Sequence, residues 1–267
     1  MITPELQVSI VLTTYNWPQA LEASLHSVLA QTRPPLEIIV ADDGSTQATA
    51  EVVRRVQAQA GVKIVHSWQE DKGFRLAKSR NKAIARARGG YIILIDGDII
   101  LERHFVEDHC SSARRDCFVQ GTRVLLNQEL STRILETGRV EVGILTPGVQ
   151  NHKNCLRSPL LARLCSWRSR RIKGIKTCNF AFWKEDAVRI NGFNEEFIGW
   201  GREDSEFTAR LLNSGVRRQN LKFFALGYHL FHPMNTRARL AINDRILHET
   251  IASKSVWCSQ GIDQYLG

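Results

Sequence analysis

The sequence predicts an α/β protein built on a doubly wound, mostly parallel sheet. Three observations carry that expectation. Four short apolar runs rich in β-branched residues fall within the first hundred positions, segments with helical spacing separate them, and polar residues follow each run. Near-continuous apolar strands belong to sheets covered on both faces. Strands alternating with helices build parallel sheets through right-handed crossovers.

The first strand is predicted at Val8–Thr13, and Leu21, Leu25, Val28 and Leu29 mark the helix after it. Leu36–Ala41 forms the second strand, and Val52, Val53 and Val56 the second helix. Val62–Val65 is a third strand, followed by a helix carrying Leu76, Ile84 and Ala87. Tyr91–Ile95 completes the set. Beyond residue 120 the pattern loosens, with no internal repeat and no low-complexity linker. One domain over 1–267 is expected: a ligand-binding half at 1–120, a second half at 121–235, and a helical tail at 236–267.

Length and composition narrow the class. A chain of 267 residues with 43% hydrophobic content can bury a substantial core. No run reaches the roughly 20 apolar residues that a membrane span needs. The N-terminus lacks the basic start and apolar core of a secretory signal, so a cytoplasmic protein is expected. Six cysteines form no CxxC pair and no zinc-spaced cluster, which suits reduced, mostly buried thiols.

The net charge of +9 is local. Val142–Lys184 holds nine basic residues and no Asp or Glu, whereas the remaining chain balances at 27 of each sign. Such a stretch fits an acidic substrate, an anionic membrane face or nucleic acid. Within it, Ser158-Pro159 reads as an N-cap with Pro at the first helical position. Leu160, Leu161, Leu164, Cys165 and Ile172 follow at helical spacing, interleaved with arginines. Such a helix lies on a membrane surface or packs its apolar side on the core.

In doubly wound sheets ligands bind beyond the carboxyl ends of the strands. There the sequence places Thr13-Thr14-Tyr15-Asn16, Asp42-Asp43-Gly44-Ser45, Glu70-Asp71-Lys72-Gly73 and Asp96-Gly97-Asp98. Two carboxylates bracketing a glycine offer hard oxygen ligands to Mg²⁺ or Mn²⁺, although the same triplet also makes turns. The Asp42–Ser45 group can accept the imide N–H of a uracil ring, or simply cap a helix. Arg75, Lys78 and Arg80 sit near a helix start, with Lys78 expected in solvent and Arg80 on a ligand or carboxylate. Farther on, Gly199-Trp200-Gly201-Arg202-Glu203-Asp204 makes an aromatic-lined loop opening a helix. A carboxylate there is placed to act as a general base, or to complement the helix dipole. His229 and His232 are the late imidazoles, either structural or metal-binding.

Taken in order, Val8–Asn16, Asp42–Ser45, Gly73–Asn81, Asp96–Asp98 and Glu203-Asp204 resemble the inverting nucleotide-sugar glycosyltransferases of family 2. The segment from Cys178–Phe182 through Asp204 is similar to the acceptor-side region of chondroitin-type polymerases and beta-1,4-galactosyltransferases. The resemblance spans roughly residues 8–235 and implies the Rossmann-like GT-A fold with an acceptor-side extension. It implies that Asp43 contacts uracil, that Thr13 and Tyr15 line the nucleoside pocket, and that Arg80 and Asp96 serve the donor. Asp98 and His229 would bind Mn²⁺ or Mg²⁺, with His232 close enough to be confused with His229. Asp204 would be the catalytic base, assisted by Glu203, with Trp200 and Asn179 on the acceptor. Arg202 stands where the galactosyltransferases carry glycine, so their acceptor preference is not carried over.

The implied reaction is metal-dependent, inverting transfer from a UDP-sugar to a saccharide or lipid-linked glycan hydroxyl. The setting would be lipopolysaccharide-core, capsule or other surface-glycan synthesis, with the basic segment on the acceptor or the inner membrane face. Nucleic acid is not an expected partner. A nucleotidyltransferase would need a Gly-rich loop after the first strand, which Thr13–Trp17 lacks. A non-catalytic adaptor would leave Asp96, Asp98 and Asp204 without a role.

Overall fold

The computed structural model describes residues 6–233 and 236–267. The chain opens with β1 (Val8–Thr14), α1 (Pro18–Leu29), β2 (Glu37–Asp42), α2 (Gln47–Gln59), β3 (Lys63–Trp68), α3 (Leu76–Arg86) and β4 (Tyr91–Asp96). These are the four strands and three helices that the periodicity predicts. Next come β5 (Ile99–Leu101), α4 (Phe105–Ser112), β6 (Cys117–Gln120), β7 (Val124–Leu126), α5 (Gln128–Thr137) and β8 (Val149–Gln150). Then follow α6 (Pro159–Cys165), β9 (Trp167–Ser169), β10 (Asn179–Trp183) and α7 (Lys184–Arg189). The last elements are α8 (Glu203–Asn213), β11 (Arg217–Asn220), β12 (Gly227–His229) and α9 (Leu240–Ser253).

Eight strands form the main sheet in the order β3-β2-β1-β4-β10-β6-β11-β9. The four early strands are mutually parallel. Inserted between β4 and β6, β10 runs antiparallel to both. The second half is therefore stitched into the sheet of the first. A smaller sheet, β5-β12-β7-β8, stands beside the carboxyl ends.

Side-chain alternation explains the near-continuous apolar runs. Ile10, Leu12, Ile38 and Val40 pack with Leu21 and Leu25 of α1 and with Val52 and Val56 of α2. Their neighbours Val11, Ile39 and Ala41 point to the other face, against Ile84 of α3 and Phe207 of α8. Both faces are covered, so apolar residues occupy both parities of position. The last segment returns to this second core, where Ile262 is fully buried.

Two expectations change in the basic stretch. Ser158 does cap α6, accepting from the Leu161 amide at 3.3 Å, with Pro159 first. The helix ends at Cys165, however, so Ile172 lies beyond it and packs against the second core. Of the six cysteines, all free, only Cys117, Cys178 and Cys258 are buried, fewer than expected. Among the described residues no helix is long and apolar enough to cross a membrane.

Candidate active site

Four carboxylate-bearing segments meet at the carboxyl edge of the parallel strands. The loops after β1 and β2 brace one another. Asp42 accepts from the Ser45 amide at 2.8 Å, the Ser45 hydroxyl accepts from the Asn16 amide at 2.9 Å, and Asn16 accepts from the Thr46 amide at 2.9 Å. Gly44 turns this corner at φ +97°, and a Cβ there would come within 2.5 Å of the Asp71 backbone. No larger residue fits that left-handed, crowded position.

Asp43 is thus held, buried, beside this corner. Its carboxylate accepts from Gln69 Nε2 at 2.6 Å and from the Arg75 amide at 2.8 Å. Burial nonetheless pushes its pKa up to about 6, and those two donors only partly offset it. Tyr15 stands half-exposed above, its hydroxyl donating to Asp71 at 3.0 Å. Thr13 is buried, and its hydroxyl donates to Asp96 at 3.0 Å.

The turn after β4 is pressed onto β1 and α1. The Gly97 amide donates to the Thr13 carbonyl at 2.7 Å, and a Cβ on Gly97 would meet that same oxygen at 2.7 Å. The Ser24 hydroxyl of α1 reaches the carbonyls of Gly97 and Ile99 at 3.0 and 2.9 Å. Asp96 and Asp98 are fixed on either side. Asp98 faces both late histidines, with His232 Nε2 at 3.2 Å and His229 Nε2 at 3.7 Å.

One ligand atom from each of Asp98, His229 and His232 lies within 4.8 Å of the others. Their state suits a divalent cation. Burial, then the Arg123 charge, lowers the His229 pKa to about 4, so its ring is neutral. His232 Nδ1 donates to the Pro233 carbonyl at 2.7 Å, which orients the ring so that Nε2 faces Asp98. Asp98 Oδ1 is buried with no hydrogen-bond partner. Burial and the Asp96 charge raise the Asp98 pKa to about 7, the strain a bound cation would relieve. Two imidazoles and a carboxylate are a fitting donor set that takes in both histidines, between which the sequence leaned to His229.

Opposite lies the start of α8. The Gly199 amide donates to the Phe74 carbonyl at 3.0 Å, tying the Trp200 loop to the approach to α3. Asn81 grips the Phe193 backbone from both ends of its amide, at 2.7 Å each. Arg202 turns into the helix at φ +80°, a region that favours glycine, and its Nε donates to Asp244 of α9 at 2.5 Å. Glu203 and Asp204 then point inward from the first turn.

Arg80, almost wholly buried, joins the two sides. It donates to Glu203 Oε1 at 3.2 Å and to Asp96 Oδ1 at 3.4 Å, so of the two expected partners, ligand or carboxylate, the carboxylates are in contact. Asp204 Oδ1 accepts from the Ser205 amide at 2.6 Å and its hydroxyl at 3.1 Å, whereas no described residue donates to Oδ2. Burial, then the Glu203 charge, raises the Asp204 pKa to about 7, with Arg80 pulling the other way. A carboxylate with a free oxygen and a pKa near neutrality can take up a proton.

Asn179 must be reassigned. It is 1% exposed and fully engaged, donating to the carbonyls of Thr122 and Ala225 at 2.7 and 2.8 Å and accepting from His109 Nε2 at 2.9 Å. Its role is to hold β10 to the loops on either side, out of an acceptor's reach. Arg123, which no motif marked, stands near the cation ligands and reaches Cys178 Sγ at 3.5 Å. Only the fold brings it there, since it follows β6 in a loop of unremarkable sequence.

Comparison with known proteins agrees. The crystal structure of S. aureus TarS 1-349 in complex with UDP-GlcNAc matches 97% of this chain and 70% of that one, with TM-score 0.64 at 18% identity. The fold is that of the GT-A glycosyltransferases. Residues 9–171 match the family described as Glycosyl transferase family 2, and residues 162–233 that described as N-terminal domain of galactosyltransferase. This chain belongs to glycosyl transferase family 2. Chondroitin synthase of Escherichia coli is 27% identical, over 83% of this chain and 34% of that protein. Validoxylamine A glucosyltransferase of Streptomyces hygroscopicus subsp. limoneus is 29% identical, over 78% and 48%. The match thus spans a third to a half of these curated relatives.

Proposed function

We propose that the protein is a metal-dependent inverting glycosyltransferase that moves a sugar from a UDP-sugar to a hydroxyl of a surface glycan. One observation carries the reading: Arg80 bridges Asp96, on the nucleotide edge, to Glu203, beside Asp204. Donor-side and base-side carboxylates thereby share one frame. The relatives' names, a glycan synthase and a glucosyltransferase, support the substrate classes.

Asp43 accepts the uracil imide N–H with an oxygen lone pair that Gln69 and Arg75 leave over. Tyr15 borders the nucleoside, and Thr13 orients Asp96 toward the ribose and donor sugar. Asp98, His229 and His232 hold Mn²⁺ in preference to Mg²⁺, because imidazole is a poor ligand for the harder ion. When bound, that cation neutralises charge growing on the leaving diphosphate. Trp200 lines the acceptor approach. Asp204 Oδ2 accepts the acceptor hydroxyl's proton as that oxygen attacks the anomeric carbon. The bond from that carbon to the diphosphate oxygen breaks, UDP leaves with the electron pair, and configuration inverts.

Calorimetric titration of UDP, GDP, dTDP and CMP, each with and without Mn²⁺, tests the donor. UDP alone should bind, and more tightly with the metal. A preference for another nucleotide would remove the uracil role of Asp43.

A finer reading concerns location. Leu160 and Leu164 of α6 are 67% and 70% exposed one turn apart, beside exposed Arg163, Arg168 and Arg170. We assign this face to an anionic membrane surface, so that the enzyme works at the cytoplasmic leaflet. Leu160→Ser/Leu164→Ser protein should no longer float with phosphatidylglycerol vesicles. Flotation equal to that of the parent would remove the assignment.

A further inference from the structure

Three cations of the acid-free stretch line a pocket together with three from other parts of the chain. An open cavity of about 430 Å³ is walled by the ends of β6 and β11, by β9 and by the loop before β10. Six of its lining residues are cationic, namely Arg123, Arg171, Lys173, Lys176, Arg218 and Lys222, and none is Asp or Glu. None of the six forms an ion pair with a described residue. Like charges gathered without counter-ions repel one another, so this arrangement costs stability unless an anion completes it.

The pocket is also rigidly built. Arg218, 7% exposed, donates to the carbonyls of Arg171 and Lys173 at 3.1 and 2.8 Å, and its buried Nε has no partner. Gln120 holds Lys176 by its amide and its carbonyl, at 2.9 Å each. The loop that presents the cations is therefore clamped at two points. Trp167, half-exposed, supplies a flat apolar wall, with Lys222 Nζ 5.9 Å from its ring centroid. An aromatic face beside fixed cations suits a sugar ring that bears a negative charge.

Its position relates it to the reaction. Cys178, on its inner wall, immediately precedes Asn179 of β10 and lies 3.5 Å from a guanidinium nitrogen of Arg123, the lining residue that stands near the cation ligands. Partial burial, then the Arg123 charge, lowers the Lys176 pKa.

Resting on the glycosyltransferase reading above, we propose that this cavity is an acceptor subsite for an acidic saccharide, binding a carboxylate or phosphate group on a sugar near the one that receives the new residue. Arg218 and Lys173, Lys176 and Lys222 meet the charge, and Trp167 stacks on the ring.

The test uses three probes on the whole protein: an unsulfated glucuronate-containing tetrasaccharide, a phosphorylated maltotetraose and neutral maltotetraose. Microscale thermophoresis compares the parent with Lys173→Ala/Lys176→Ala/Lys222→Ala protein, whose substitutions are at the cavity rim, and UDP is titrated in parallel. At least one acidic probe should bind about tenfold or more tightly than maltotetraose, and the triple variant should lose that margin while keeping parental UDP affinity. Which acidic probe wins decides between carboxylate and phosphate. Equal binding of acidic and neutral probes, or an undiminished margin in the triple variant, would overturn the subsite. Absence of UDP binding in the parent would instead defeat the donor reading, leaving the saccharide comparison to be judged separately.

Discussion

Arg80 Nη1 donates to Glu203 Oε1 at 3.2 Å across 123 positions of sequence, and both groups are withdrawn from solvent. A buried cation with two carboxylate partners is strongly held only while both partners remain. Arg80→Met leaves Glu203 buried without its cation and should cost about 3–5 kcal/mol. Urea denaturation checks the loss, and Arg80→Met/Glu203→Met should recover part of it, because no charge is then stranded.

Asp204 sets the acid limb of activity. As a base it works only when ionised, and its raised pKa keeps it protonated below about pH 7. Transfer should therefore fall about tenfold per pH unit below that point and level off above it. Glu203→Gln removes the neighbouring charge that helps raise the pKa, so the limb should move to lower pH. Asp204→Asn should lower turnover about 10²–10⁴-fold with UDP affinity kept, and parental turnover would remove the assignment.

Cation binding should depend on both histidines. His229→Ala and His232→Ala should each weaken Mn²⁺ binding at least about 10–100-fold, as losses even of supporting groups do at such sites. Direct Mn²⁺ titration reads this without an acceptor. Chelation should stop transfer, with Mn²⁺ restoring more than Mg²⁺. If His232→Ala binds Mn²⁺ as the parent does, the ligand set is wrong.

Asn179 should matter for stability. Burial lowers the His109 pKa to about 4, so its neutral ring relies on the Asn179 oxygen as acceptor. Asn179→Ala would leave that ring and two buried carbonyls unpaired, at about 2–4 kcal/mol. Denaturation should show that loss, while the acceptor KM of the protein still folded should stay unchanged.

Much of this was legible in the chain. The four early strands and their helices follow from periodicity, which depends only on neighbours and on both sheet faces being covered. Asp96-Gly97-Asp98 and Glu203-Asp204 were visible because turns and helix starts have short-range signatures. Arg80 was expected on a ligand or a carboxylate, but nothing local named Glu203 as the partner.

Asn179, by contrast, looked like a polar residue opening an acceptor segment. Insertion of β10 between β4 and β6 buries it among carbonyls distant in sequence, and only the tertiary fold specifies those. The same holds for His232, which joins Asp98 because β12 pairs with β5 just beyond the turn. It holds again for the cationic cavity, assembled from β6, β9, β11 and the 171–176 loop. The sequence alone determined the fold class, the edge where chemistry gathers and the sign of the charge excess, because these rest on local pattern and composition. Which polar side chains face solvent and which satisfy buried backbone was decided by strand order, since burial and hydrogen bonding depend on contacts that no short window of sequence contains.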